Sequence, residues 1–343
     1  MPAESIVRWP AEWEPQAATW LAWPHNCETW PGHYENIPNT FVQFLRAISQ
    51  VQPVHLLSGP TEIPPSAMAT ISKLSNVAVH HVRTNDTWIR DYGPTFVVRI
   101  ADSKLVGIRW RFNAWGGKYL PCDDDAAAAA AICGIVGCDC VSSELHCEGG
   151  ALETDGCGTL LTNSSCLLTD TRNPGWTRTH IEDQFKQNLG AKKIIWVDGG
   201  GLDGDDTDGH IDQLARFVSP GRVVVATSSH SNDSNARGLR ANAQILRAST
   251  DANHRPLEVI PLPTPAPRWV DGKRVPESYC NFLIANEIVI LPTFRSPPTD
   301  QYATKLLSEL MPDRTVIPLD AYDFIWGLGA FHCASQQQPR EID

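Results

Sequence analysis

The run GLGAFHCASQQQP, residues 327–339, sets one cysteine, Cys333, directly after a histidine at the end of a glycine-flanked apolar stretch, with three glutamines behind it. A thiol so placed can be a buried small hydrophobe, a metal ligand, half of a disulfide or a nucleophile. Which of these it is decides what fold and chemistry the rest of the chain must serve.

The bulk properties narrow the choice. At 343 residues the chain can bury a substantial core. With 28 Lys+Arg against 39 Asp+Glu its net charge is -11, so nucleic acid and anionic membrane are poor partners and a cationic ligand fits better. The amino terminus lacks a basic stretch followed by an apolar core, and no run approaches the roughly 18 apolar residues of a membrane span. A cytoplasmic protein is expected, and its ten cysteines are expected to be mostly free thiols. Cys133, Cys138, Cys140 and Cys147 follow the spacing C-x4-C-x-C-x6-C, which matches none of the usual zinc or iron-sulfur pairings, so no metal is assigned there.

Short β-type runs recur from end to end, among them PVHLLSG, PTFVVRI, GTLLTNSS, RVVVATSS and RTVIPLD. Five helical patterns lie between them: FVQFLRAIS, DDDAAAAAAICGIVG, THIEDQFKQNLG, NARGLRANAQILRAST and TDQYATKLLSEL. Asp, Asn or Thr stands ready to cap each helix, and two end in glycine. The triplet Asp123, Asp124 and Asp125 reads as charge complementing a helix dipole, with no chemistry assigned. Interspersed strands and helices argue for the α/β class. The proline-rich stretch at 261–276 reads as a surface excursion and gives no clear domain break, so residues 1–343 are taken as a single domain. Neither GxGxxG after a strand nor a Walker motif occurs, which leaves dinucleotide and triphosphate chemistry unsupported.

Three further segments hold the chemistry-bearing residues. In DGGGLDGDDTDGHIDQLARF, residues 198–217, the register of a calcium loop fails. If its His-Ile-Asp were extended, His210 and Asp212 would project from one face. TNDTWIRDYGP, residues 84–94, carries Trp88 and Asp91 around an arginine. HCEGGALETDGCGTLLTN, residues 146–163, sets Glu148 before two glycines. Singly, such residues are most often caps or solvated charges.

Together the set changes meaning. Trp88-x-x-Asp91, Glu148-Gly-Gly, Gly209-His210-x-Asp212 and His332-Cys333, in that order, resemble the guanidine-modifying enzymes, specifically the agmatine deiminase family, which takes in the bacterial type of peptidylarginine deiminase. PAEWEPQAATWLAWP at 10–24, FNAWGGK at 112–118 and SYCNF at 278–282, the last expected as a strand, extend the resemblance over almost the whole chain. It implies an α/β-propeller, or pentein: five pseudo-symmetric βαβ-type modules around a central active site. No five-fold repeat is legible in the sequence.

The resemblance also implies roles. A guanidinium is planar, delocalised and unreactive at carbon, and carboxylates hold it through paired N–H bonds. Asp91 and Asp212 would grip its nitrogens, Glu148 would hold His210, and Trp88 would line the pocket with a ring face able to meet a cation. Trp115 and Gly116 of the Trp-Gly-Gly motif are placed among the substrate contacts. Cys333 would attack as a thiolate; at an ordinary pKa of about 8.5 it needs help from the substrate charge or an imidazole. His210 would protonate the leaving nitrogen and then activate water against the amidino-thioether. No cofactor and no metal is required. His332 neighbours Cys333, but strand neighbours face opposite ways, so His332 is assigned a structural role.

A small cationic guanidine is therefore the expected partner. Agmatine, hydrolysed to N-carbamoylputrescine and ammonia, is favoured over free arginine because the acidic segments offer no cation beyond Arg90 for an α-carboxylate. For the far amine, Asp206 is preferred over Asp205 and Asp208. Peptidylarginine, a non-catalytic guanidine or polyamine binder, and a metal-dependent amidohydrolase are the alternatives. Homo-oligomer formation is left open.

Overall fold

The computed structural model describes residues 6–230 and 232–341. Its strands form five sheets of three or four strands, plus one small hairpin. In the first sheet Ser335–Pro339 runs antiparallel to Gln16–Ala22, which is parallel to Val54–Leu57, with Val77–His80 at the far edge. The second joins Val7–Arg8, Thr95–Arg99, Leu105–Arg111 and Asp139–His146. The third, Glu153–Thr154 with Thr159–Thr162 and Lys193–Trp196, and the fourth, Ala215–Ser219 with Arg222–Thr227 and Glu258–Pro263, have the same plan. The fifth is Leu283–Ile284, Ile288–Thr293 and Thr315–Asp320.

Each sheet thus contains an antiparallel pair followed by a parallel step, and a parallel step needs a crossover. The five helices read from the sequence supply it: Ile37–Ser49, Asp123–Val136, Arg178–Leu189, Ala236–Arg247 and Pro297–Leu310. The unit strand-strand-helix-strand therefore occurs five times, although no sequence repeat announces it. What repeats is pattern, because buried strands and amphipathic helices constrain hydrophobicity and leave residue identity free. The described residues are a mixed α/β structure with no closed barrel.

Local signals worked unevenly. Gly137 and Gly190 end two helices in the left-handed conformation, at φ 77° and 69°, as their sequence position implied. Of the N-terminal caps, Thr177 accepts from the His180 amide, whereas the side chains of Asn36 and Asn235 make no cap bond. Asp125 is more than a dipole complement. Buried, it accepts from the Asn85 amide at 2.7 Å, while Asn85 Oδ1 accepts from its own amide at 3.1 Å, so the helix start clamps the loop before Trp88.

The stretch at 261–276 is no plain excursion. After Glu258–Pro263 it folds into a hairpin, Trp269–Val270 with Lys273–Arg274, and Lys273 and Arg274 reach the rim of the main cleft. No helix among the described residues is long and apolar enough to cross a membrane.

Candidate active site

The five segments that lead from one sheet to the next each bring a polar group to the same place. They carry Asp91, Glu148, His210 with Asp212, Asn281 and Cys333 in turn. None of these residues lies in a regular strand. Asp91 sits in a one-turn helix, Ile89–Tyr92, and Asp212 in a 3-10 turn, Ile211–Gln213. His210 and Asp212 are therefore not brought together by strand alternation. The segment at 278–282 is likewise a loop ahead of Leu283–Ile284.

Gly150 explains the Glu-Gly-Gly motif. A side chain there would lie 2.5 Å from His210 Nδ1, 2.8 Å from Asp91 Oδ1 and 3.2 Å from Asp212 Oδ2. Only a residue without Cβ lets these three groups converge, and its amide meanwhile donates to Asp91 Oδ1 at 2.9 Å. The second Asp91 oxygen accepts from the Trp115 indole at 2.8 Å. Burial pushes the Asp91 carboxyl up to about 6 against the pull of the nearby His210.

His210 is fully buried, with Nδ1 3.6 Å from Asp91 and Nε2 3.6 Å from Glu148. Burial favours the neutral ring, but Asp91, Cys166 and Glu148 outweigh it and hold the imidazole pKa well above its ordinary value. Glu148 can stay ionised despite burial. His210 and Arg172, the latter bonded at 2.8 and 3.1 Å, lower it to about 2. Arg172 continues to Asp208 at 2.7 Å, tying Glu148 to the acidic loop. Sequence reading missed Arg172, because a lone arginine in a Thr-Arg-Asn-Pro turn carries no signal.

Cys333 lies on a turn, not a strand, so the alternation argument for His332 does not apply. The geometry nevertheless separates the two. Cys333 lines the cleft, whereas His332 turns away to Asp212 Oδ2 at 2.7 Å and Glu12 Oε2 at 3.1 Å. The Cys333 sulfur accepts from Asn281 Nδ2 at 3.0 Å and is 3.5 Å from Asp212 Oδ2. Asn281 Oδ1 also accepts from the Ala330 amide at 3.1 Å and the Cys333 amide at 3.3 Å, holding the whole turn. Burial first, then Asp212 and Asp91, push the Cys333 thiol well above its ordinary pKa. With no ligand charge nearby it is a neutral thiol.

The surrounding motif residues have physical reasons. Side chains at Gly327 and Gly329 would come within 2.8 and 2.7 Å of the Trp88 ring, so these glycines make room for it. Trp88 packs on Trp30 and Phe324 and faces the cleft. The glutamines tie the last strand to earlier segments of the chain. Gln336 donates to the Pro94 carbonyl at 2.9 Å, Gln337 accepts from Arg90 at 2.5 Å, and Gln338 accepts from the Trp20 indole at 2.9 Å. Arg90 is thus a buried latch on the Cys333 segment and does not line the cleft. Gly116 does not line the cleft: it packs against Thr171 beside Trp115, which does.

At the cleft mouth the three loop aspartates separate. Asp205 folds inward to Thr207 and to the Gly209 amide, and Asp208 pairs with Arg172 and Lys118. Asp206 lines the cleft and accepts from the Tyr119 hydroxyl. Asp86 stands near it, pushed up to about 6 by burial.

Fold and site define the class: an α/β protein in which a cleft is lined by a thiol, Cys333, and a carboxylate, Asp91, with a fully buried imidazole and further carboxylates packed behind them. The chain belongs to the Porphyromonas-type peptidyl-arginine deiminase family, whose model matches residues 8–339. A relative from Legionella pneumophila, described as "putative agmatine deiminase", is 36% identical over 332 residues, 96% of this chain and 95% of its own. The solved agmatine deiminase of Enterococcus faecalis is 30% identical with a TM-score of 0.90, covering 98% of this chain and 97% of that one. A cysteine-to-serine variant of C. jejuni agmatine deiminase with substrate bound is 28% identical, TM-score 0.88, with the same coverage. DDAH from Pseudomonas aeruginosa, at 13% identity and a TM-score of 0.52, shares the fold alone.

Proposed function

We propose that the protein is an agmatine deiminase, a hydrolase of the C–N bond of a linear amidine, and that its five units form a pentein propeller around the site. Five repeated sheets, each followed by a segment that contributes to the site, support the propeller arrangement. The observation that carries the function is the charge layout of one cleft, with Cys333 and Asp91 at its base and Asp206 at its mouth. Such spacing of acids suits a substrate that is cationic at both ends. A guanidinium between Asp91 and Asp212 cancels the charge that holds the Cys333 thiol up, so binding itself favours the thiolate.

The thiolate then forms a C–S bond to the guanidinium carbon, the step that makes Cys333 the nucleophile. A C–N bond breaks as protonated His210 gives its proton to the departing nitrogen, releasing ammonia and leaving an amidino-thioether. His210, now neutral and kept in place by Glu148, takes a proton from water. Water attacks the same carbon, the C–S bond breaks, and Cys333 returns with N-carbamoylputrescine as product. Asp91 and Asp212 hold the planar group throughout.

One observation favours a second reading, a guanidine bearing a carboxylate. Lys273 stands at the mouth, whereas Arg274 beside it is committed to Asp233. Offering agmatine, free arginine and a blocked arginine peptide separately, with ammonia as the readout, decides between them. Agmatine is expected to give the largest kcat/KM; turnover of arginine or the peptide alone would overturn the agmatine reading.

A further inference from the structure

The cysteine spacing that fitted no metal site has a different use. The helix Asp123–Val136 ends in a cap where the Gly137 and Cys138 amides both donate to the Cys133 carbonyl, at 2.9 and 3.1 Å. This is the closing turn in which the residue two past the last helical one folds back onto the side chain three places before the end. Those two positions are Cys138 and Cys133. The two side chains are accordingly neighbours at the helix end, close enough that each shifts the other's titration, and Cys140 acts on Cys133 as well.

The sheet completes the arrangement. A side chain at Gly107 would overlap the Cys133 sulfur, so that sulfur rests directly on the Leu105–Arg111 strand. Cys140 is the residue opposite Gly107 across the parallel ladder, and it is the second residue of the edge strand Asp139–His146, whose first four positions are exposed. The three thiols therefore form a series from buried Cys133, through half-buried Cys138, to exposed Cys140. They do not converge as metal ligands do: the one group among the described residues whose donors meet within 4.8 Å is Glu148, Cys166 and His210.

We propose that Cys133, Cys138 and Cys140 are a reversible thiol-disulfide site, with Cys140 the entry thiol and Cys133–Cys138 the bridge. The oxidant is a small-molecule disulfide such as oxidised glutathione. Cys140 as thiolate attacks one sulfur of the oxidant, forming a mixed disulfide and releasing one glutathione thiolate. Cys138 attacks the protein sulfur of that mixed disulfide and releases the second. Cys133 then attacks Cys138, the Cys133–Cys138 bond forms, and Cys140 leaves as a thiol. In sum two protein thiols are oxidised and one glutathione disulfide is reduced to two thiols. The Cys138 thiol is held below its ordinary pKa by its neighbour Cys133, which favours Cys138 as the attacking group in the middle of the series. The site lies on the outer edge of the second sheet and needs no participation of Cys333.

The test treats the folded full-length protein with oxidised glutathione, blocks remaining thiols by alkylation and maps peptides by mass spectrometry. A Cys133–Cys138 bridge that dithiothreitol reverses is expected. Cys140→Ser should slow its formation at least several-fold, and Cys138→Ser should abolish it. Alkylated Cys133 and Cys138, with glutathione only on the exposed Cys27 and Cys157, would overturn the proposal, as would an end state bridged between any other pair. Unchanged thermal melting of both variants separates loss of the site from loss of the fold.

Discussion

His332 Nδ1 lies 2.7 Å from Asp212 Oδ2, and that same oxygen is 3.5 Å from the Cys333 sulfur. The two sequence neighbours meet through a carboxylate delivered by another segment. His332 acts on the site by orienting Asp212. Burial pushes the Asp212 carboxyl up, but the hydrogen bond and charge of His332, followed by His210 and Arg216, bring it below its ordinary value. His332→Ala should therefore raise the Asp212 pKa towards that of Asp91, so that a second carboxyl joins the acid limb of kcat/KM and the limb becomes steeper and shifts to higher pH. A hydrogen bond to a charged group contributes about 1.5–3 kcal/mol, so kcat/KM should fall by roughly tenfold or more at neutral pH. An unshifted pH profile would leave His332 a packing residue.

Asp91 should set the acid side of the profile. Its carboxyl titrates near 6, so kcat/KM for agmatine should rise through about pH 6 as the free enzyme's carboxylate forms. The Trp115 indole stabilises the charged form through its 2.8 Å bond. Trp115→Phe keeps the ring and removes the donor, and should displace this limb upward with KM raised more than kcat is lowered. Rates measured across pH 5 to about 9 check the shift.

Asp206 faces the cleft while Asp205 and Asp208 are engaged by the loop and by cations. Asp206→Asn should raise KM for agmatine about tenfold, as expected for loss of one charge-assisted contact, and change the rate on a guanidine without a distal amine little. Equal losses on both substrates would place Asp206 in holding the loop, through Tyr119, rather than in meeting the amine.

Stability should also follow pH in a definite direction. Glu12 and Glu148 are lowered to about 2 from about 4.5, so their contribution is fully present above pH 4.5 and is lost as pH falls towards 2. For Glu148 alone the shift corresponds to roughly 3 kcal/mol. Asp86 and Asp91, raised to about 6, act oppositely: the folded state holds their protons longer, and stability declines as pH rises from about 4 through 6. His210, raised above 6.5, adds stability that is present below that value and declines as pH climbs through its folded pKa. The thermal midpoint should therefore peak at about pH 4 to 4.5, and Glu148→Gln should flatten the acid side. A monotonic rise to pH 8 would contradict these assignments.

The regular framework was legible where hydrophobic period and stop signals agree. All five crossover helices and strands such as Arg222–Thr227 and Thr315–Asp320 stand where their patterns put them. Ser335–Pro339 was not readable, because a strand of Ser, Gln, Gln, Gln and Pro has no apolar alternation. Its partner, Gln16–Ala22, lies at the other end of the chain. Cys333, His210, Asp212, Asp91 and Glu148 were nameable as a set from their motifs, but the reason His210, Asp91 and Asp212 converge is the space left by Gly150, which spacing cannot display. Asn281 sat inside the motif at 278–282 and was read as part of a strand; its carboxamide use depends on a turn 49 to 52 residues away. Lys273 and Arg274 were hidden for the same reason, their place at the mouth being set by a hairpin formed far from the site in sequence.

The central claim is that Cys333 bonds covalently to the guanidinium carbon during turnover. The most direct measurement is rapid acid quenching of the protein mixed with agmatine, followed by peptide mass analysis. The account predicts that the Cys333 peptide carries the mass of agmatine less ammonia, and that this adduct decays as N-carbamoylputrescine accumulates. Full steady turnover with the Cys333 peptide unmodified, and with ordinary activity retained in Cys333→Ser, would contradict it.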